Sequence, residues 1–265
     1  MRVHHLYDEG MSQDLELAIH AAKSAGSIIR EAYGKEKAIV IKGTNDIVTD
    51  TDVQAEHTIL GILKRTGYSS FGEESGVTER QSARRWIVDP LDGTANFVRG
   101  FPFFAVSIAL MEDEKNIVLG VVYDPIADEC YWAEQGKGAY MNGRKIFVNS
   151  LSDMEKATFL IDHGKSEQHK VEFLRSLSAL TLNRGATVLR QGATALMLCY
   201  VAKGSFDAFL SFGDQLYDYA AGLLIAEEAG ADISDTKGNA WNTASTSLLV
   251  ANAAMHSVIL TRNIS

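Results

Sequence analysis

The sequence predicts an α/β protein, and three observations carry that expectation. Apolar residues recur at helical spacing near the N-terminus, at Leu15, Ala18, Ile19, Ala22, Ala25 and Ile29. Strand-like runs broken by turn signals fill the stretch 103–148 in an antiparallel pattern. Beyond Ser150 the rhythm changes to strands alternating with helices, which places a soft division of the chain into 1–150 and 151–265.

Taken in order, Ser12 reads as the N-cap of the first helix, with Asp14 and Glu16 in its first turn and an end near Gly34. Ile39-Val40-Ile41-Lys42 is a short strand, followed by Gly43-Thr44-Asn45 and the acidic segment 46–52. A second helix is expected over 53–63, capped by Asp52 or a neighbour and closed near Gly67. Phe71-Gly72-Glu73-Glu74-Ser75-Gly76 is a glycine-bounded acidic turn, which two exposed loop glutamates explain equally well. Strands are expected over 103–111, 116–123, 130–133 and 146–148, separated by Glu112-Asp113-Glu114-Lys115, Asp124-Pro125 and Asn142-Gly143. Asn-Gly is a good hairpin signal. The later strands are expected over 158–161, 186–189, 206–210 and 247–251, with helices over 192–202 and 217–229 and a terminal helix.

The stretch with most chemistry in it is Trp86-Ile87-Val88-Asp89-Pro90-Leu91-Asp92-Gly93-Thr94-Ala95-Asn96-Phe97. A strand runs into Asp89, Pro90 is expected to stop the ladder, and Gly93-Thr94 turns into a helix. Asp89, Asp92 and the Leu91 carbonyl form a nest of hard oxygens of the kind Mg²⁺ prefers. The N–H groups of Gly93 and Thr94 suit a phosphate. An Asx-turn capping a helix is the plainer account of the same residues. Haloacid-dehalogenase-like phosphatases also carry Asp-x-Asp-Gly-Thr, but the place of their nucleophile is held here by Pro90, which cannot attack phosphorus.

Composition narrows the field. The chain has 265 residues, 46% hydrophobic and 22% charged, enough for a substantial core. Its net charge of −9 argues against a nucleic-acid groove and repels phosphate, so positive charge at a phosphate site must come from elsewhere, and bound cations are the obvious source. No apolar run approaches the roughly 20 residues of a membrane span, and the opening Met1-Arg2-Val3-His4-His5 lacks a secretory core, so a cytoplasmic location is expected. Cys130 and Cys199 are expected to be buried and reduced. The seven histidines form no zinc motif, and no P-loop is present.

Single acids at element ends now recur: Asp52, Glu73, Asp89, Asp92 and Asp218, the last in Tyr217-Asp218-Tyr219-Ala220-Ala221-Gly222, where helix capping is again the plain account. Asp46-x-Val48-Thr49-x-x-Asp52, Gly72-Glu73-Glu74-Ser75, Asp89-Pro90-Leu91-Asp92-Gly93-Thr94-x-Asn96-Phe97, Tyr217-Asp218-x-Ala220-Ala221-Gly222 and Glu228-Ala229-Gly230 together resemble the inositol monophosphatase family. The order and spacing agree from about residue 12 to 260.

The resemblance implies a layered αβαβα sandwich of the inositol monophosphatase and fructose-1,6-bisphosphatase type. It also implies Mg²⁺-dependent hydrolysis of a phosphate monoester, two or three Mg²⁺ per site, lithium sensitivity and a homodimer. Carried over, Glu73, Asp89 and the Leu91 carbonyl would hold a first Mg²⁺, and Asp89, Asp92 and Asp218 a second. Asp52 matches the acid that hydrogen-bonds the catalytic threonine, here Thr94, and Thr94, Asp52 and Glu73 would orient the attacking water. Substrate would meet Asp92, Gly93, Thr94 and Asp218, with Gly192, Ala193 and Thr194 bordering the polyol.

Inositol-selective members carry a Glu seven residues before the last metal Asp, and Ser211 stands there in this chain. Asp214 is a candidate to compensate. Arg190 would meet a second phosphate or simply lie on the surface. Inositol 1-phosphate leads, with fructose 1,6-bisphosphate, histidinol phosphate and 3′-phosphoadenosine 5′-phosphate as alternatives. A regulatory or binding protein on the same scaffold is the rival of another class.

Overall fold

The structure is a computed structural model and describes residues 11–35, 39–43, 46–113, 116–164, 166–184 and 186–262. The expectations placed on Met1 to His5, on Thr44-Asn45 and on Glu114-Lys115 lie outside the described residues, as does the Asp46 side chain.

Helix α1 (Gln13–Ala32) is followed by a ribbon of β1 (Ile39–Gly43) and β2 (Asp46–Thr49) and by α2 (Asp50–Leu63). Strands β3 (Ser69–Gly72), β4 (Gly76–Thr78) and β5 (Arg84–Asp92) lead to the short α3 (Thr94–Arg99). A meander follows: β6 (Ala105–Glu112), β7 (Asn116–Asp124), β8 (Glu129–Glu134), β9 (Ala139–Met141) and β10 (Arg144–Ile146). The second half runs β11 (Thr158–His163), α4 (Glu167–Arg184), β12 (Thr187–Leu189), α5 (Thr194–Ala202), β13 (Ala208–Phe212), α6 (Leu216–Glu228), β14 (Ala231–Ser234), β15 (Ser247–Asn252) and α7 (Ala253–Thr261).

These elements stack into five layers. One sheet of eight strands has the order β10-β9-β8-β7-β6-β5-β3-β4, and a second of five has β12-β11-β13-β15-β14. Side chains alternate across each sheet, so neighbouring residues serve different cores. Trp86 and Val88 of β5 point to α1 and α2, where Leu15, Ala22, Ile29 and Ile59 meet them. Ile87 points the other way, to α5 and α6, and joins Leu196, Leu198, Leu223 and Leu224 in a core that also takes Phe209 and Val250 from the second sheet. Leu210 and Leu249 face outward to Phe173 of α4 and Met255 and Ile259 of α7. Burial of each such side chain is worth about 1.5–3 kcal/mol. Residue 150 falls in the connection between the two sheets, yet the middle core draws on both halves.

Several expectations are corrected. The second helix starts at Asp50 because Thr49 is its N-cap; Asp52 sits in its first turn, and its Oδ2 accepts from the Thr49 N–H at 2.9 Å. The segment 46–49 is a strand paired with β1. Strand β5 does not stop before Pro90: it resumes at Asp92, and the register shift between Asp89 and Asp92 absorbs the proline in a bulge. Helix α4 escapes periodicity analysis, because Val171, Leu174 and Leu182 stay exposed and blur any apolar stripe. Asn142 and Gly143 both have positive φ and close the β9–β10 hairpin, as the dipeptide predicts. Cys130 and Cys199 are free and buried. No helix among the described residues is long and apolar enough to cross a membrane.

Candidate active site

The bulge in β5 builds the first part of the site. Where the ladder slips, the chain turns out of the sheet, and Asp89 closes the turn by accepting from the Leu91 N–H at 3.0 Å. Both Asp89 and Asp92 are buried, 2% and 7% exposed. Gly93 takes φ +90°, and a Cβ there would come within 3.0 Å of the Ala193 Cβ and 3.1 Å of the Phe103 carbonyl. Only glycine lets this turn pack so closely while left-handed. The first bonds inside α3 are made by the Asn96 and Phe97 N–H groups onto the Gly93 carbonyl.

Thr94 opens α3 with its hydroxyl 2.8 Å from Asp52 Oδ1 and 2.9 Å from the Leu91 carbonyl. A hydroxyl carries a single proton, so one of these acceptors stays open. Asp52, 1% exposed, also accepts from the Thr49 hydroxyl at 2.5 Å. Burial pushes the Asp52 carboxyl up, and its hydrogen bonds from Thr49 and Thr94 pull the other way.

Three further elements bring their acids to the same place. Glu73 leads the turn between β3 and β4, its N–H bonded to the Val88 carbonyl at 3.1 Å, next to Asp89. Asp218 lies in the first turn of α6 and accepts from the Gln215 N–H at 2.6 Å. Phe71 and Tyr217 pack edge to face, 5.6 Å between centroids, which holds the β3 end against the start of α6. Asp92 reaches across to α5, accepting from the Thr194 N–H at 3.1 Å and the Ala195 N–H at 2.7 Å, where a helix N-terminus favours negative charge.

The electrostatic cost of this arrangement is plain. Burial drives Asp89 well up, reinforced by Glu73, Asp92 and Asp218 and by a hydrogen bond shared with Glu73. Burial raises Asp92 to about 8 against the pull of the Ala195 and Thr194 N–H groups. Burial also raises Asp218, helped by Asp214, Asp92 and Glu73. Carboxylates that crowd like this keep protons unless cations replace them.

The acids open on one cavity of about 1070 Å³. Glu73, Asp89, Leu91, Asp92, Gly93, Thr94, Gly192, Thr194 and Asp218 all line it. Three of the predicted site residues stand behind the wall. Asp52 is reached through Thr94. Ala193 is buried against Gly93. Ser211, 2% exposed, hydrogen-bonds Asp214, which does line the cavity and is raised to about 7 chiefly by burial. Arg190 is on the wall, its Nε and terminal nitrogen each 2.8 Å from Asp162 Oδ1.

Sequence reasoning assigned no role to Asn96, whose amide ties α3 to the Phe103 carbonyl at 2.8 Å and the Gln191 carbonyl at 2.7 Å. It also passed over Asp162 and the cavity-lining His163, His169 and Lys170, which lie at the end of a strand and the start of the unforeseen α4. No spacing rule singles them out.

The donor set fits a hard divalent cation: carboxylate oxygens and a backbone carbonyl on one wall. As they stand, no three His, Cys, Asp or Glu side chains among the described residues converge closely enough to grip one ion. Glu73, Asp89, Asp92, Asp218 and the Leu91 carbonyl are the groups that would hold it.

Comparison with known proteins identifies the family. The model of the inositol monophosphatase family matches residues 11–264. The chain is 40% identical to inositol monophosphatase 3 of Solanum lycopersicum over 252 residues, covering 92% of this chain and 93% of that one. It is 40% identical to Nus factor SuhB of Vibrio cholerae over 230 residues, 84% of this chain and 85% of that one. The crystal structure of extragenic suppressor protein suhB from Bartonella henselae superposes with a TM-score of 0.89 at 34% identity, covering 95% of this chain and 98% of that one. By sequence and by fold, therefore, the chain belongs to the inositol monophosphatase family, a family of phosphoric monoester hydrolases.

Proposed function

We propose that this protein hydrolyses a small phosphate monoester, inositol 1-phosphate first, in a Mg²⁺-dependent reaction. The observation that carries the reading is that Glu73, Asp89, Asp92 and Asp218 line one cavity beside the Thr94–Asp52 pair. Mg²⁺ held by Glu73, Asp89, Asp92, Asp218 and the Leu91 carbonyl would supply an acidified water and offset charge on the phosphate and on the departing ester oxygen. Thr94 orients that water and takes its proton at Oγ1 while passing its own proton to Asp52, whose raised affinity for protons suits a base. Glu73, beside Asp89, helps orient the water. The N–H groups at the start of α3 face the phosphate oxygens. Asp92 keeps its hold on α5 and offers its remaining lone pairs to cation and substrate.

On the polyol side, Gly192 and Thr194 border the substrate directly, and Ala193 shapes the wall from behind Gly93. Ser211 acts on substrate through Asp214, whose carboxylate is the acceptor on that wall for ring hydroxyls. That substitution favours a site broader than one built on a long glutamate.

The test is phosphate release at fixed Mg²⁺ from inositol 1-phosphate, fructose 1,6-bisphosphate, histidinol phosphate and 3′-phosphoadenosine 5′-phosphate. The highest kcat/KM is expected for inositol 1-phosphate. If it proves the poorest of the four, the substrate reading fails and the chemistry stands. No Mg²⁺-dependent release from any of them would overturn both, and would favour the regulatory reading suggested by the Nus factor relative.

A further inference from the structure

Among the buried acids, Glu56 has no part in the site as described so far. It sits on α2, 2% exposed, and no Lys, Arg or His among the described residues pairs with it. A carboxylate at that depth is costly and needs donors. It finds them in one place. Glu56 Oε2 accepts from the Glu74 N–H at 3.1 Å, and Oε1 accepts from the Ser75 N–H at 3.2 Å and the Ser75 hydroxyl at 2.6 Å. The turn after Glu73 is thus wrapped around the Glu56 carboxylate. Gly72 leaves the room for it, since a Cβ there would lie 1.7 Å from Oε1.

Two more contacts give this arrangement a direction. The Glu73 N–H is bonded to the Val88 carbonyl, so the turn is pinned to β5 on one side and to Glu56 on the other. Asp52, which holds Thr94, is four residues before Glu56 and so on the same face of α2. One rigid helix therefore sets both the Thr94–Asp52 pair and the turn that presents Glu73. An apolar residue at position 56 would pack more cheaply, but would leave the Glu74 and Ser75 N–H groups without their acceptor.

We propose that Glu56 is a positioning residue, whose buried carboxylate fixes the 73–75 turn so that Glu73 faces Asp89 and thereby sets the affinity of the site for its divalent cation. The proposal rests on the Mg²⁺-dependent reading above. Outer-shell partners of metal ligands typically influence affinity or activity by about 10- to 100-fold.

The test is calorimetric titration of the whole protein with Mg²⁺ alone, without substrate, for wild type, Glu56→Gln and Ser75→Ala, with thermal melts alongside. Glu56→Gln keeps the shape but turns an N–H₂ toward backbone donors, and should weaken Mg²⁺ binding at least about tenfold. Ser75→Ala removes a single hydrogen bond in an exposed turn and should weaken it about threefold, in the same direction. In turnover, the half-saturating Mg²⁺ should rise while kcat at saturating Mg²⁺ stays within about threefold. A lowered Tm with an unchanged Mg²⁺ isotherm in both variants would reduce Glu56 to a structural role and overturn the proposal. A wild type that binds no Mg²⁺ would instead remove the metal reading itself.

Discussion

At the floor of the cavity three of the acids are tied to the main chain: Asp89 to the Leu91 N–H, Asp92 to those of Thr194 and Ala195, Asp218 to that of Gln215. On the outer wall Arg190 is paired with Asp162, but other charged groups are held far more loosely. Lys170 has no ion pair among the described residues, and Arg99 reaches only the Ala95 carbonyl of its own helix. The floor is set before any ligand arrives, which is what electrostatic stabilisation of a reaction requires. The wall can be altered without disturbing it. Chemistry should therefore be lost by changes at the floor and selectivity by changes at the wall.

The sharpest way to break that contrast is Asp89→Asn. Mg²⁺-dependent turnover should fall by about 10³-fold or more, while the metal-free protein melts at nearly the same temperature, because burial already favours the neutral form of Asp89 and the amide has its shape. Near-normal turnover would remove Asp89 from the proposed metal ligands. Thr94→Ala comes next: loss of the hydroxyl between Asp52 and the Leu91 carbonyl should lower kcat about 10²-fold with little change in Mg²⁺ affinity.

The pH dependence of stability sharpens the same comparison. Asp92 and Asp214 are raised to about 8 and about 7 in the folded protein, against about 4 when unfolded. Their protonated forms stabilise the fold, so metal-free stability is fullest below about pH 4 and falls as pH rises to about 8. Denaturant titrations with EDTA should show that fall, and saturating Mg²⁺ should reverse it. Flat stability across the range would mean the floor is not under charge strain. At the wall, Lys170→Ala should change kcat by less than about threefold. Ser211→Ala should cost about 1 kcal/mol of stability by freeing Asp214, with its kinetic effect confined to KM.

Much of the floor was legible in the sequence. Turn chemistry around Pro90 and Gly93 marks where a carboxylate leaves a sheet, and the order of the acid motifs carries the family and its layered fold. What was illegible depends on distant pairing. The sequence does not show that β5 continues through Pro90, since the bulge exists only against β6. Nor does it show that Ser211 meets Asp214 and not the cavity, or that Glu56 lies under the Glu73 turn, because helix and turn come together only in the packed layers. Helix α4 was lost for a simpler reason: its apolar side chains do not keep to one side.

The bond from Asp92 to the start of α5 spans more than a hundred residues. A growing polypeptide that has emerged only as far as the first sheet carries Glu73, Asp89 and Asp92 but neither Asp218 nor the N–H groups that Asp92 needs. Contacts of such long sequence separation close late, so the nascent protein should remain catalytically silent until the second sheet docks.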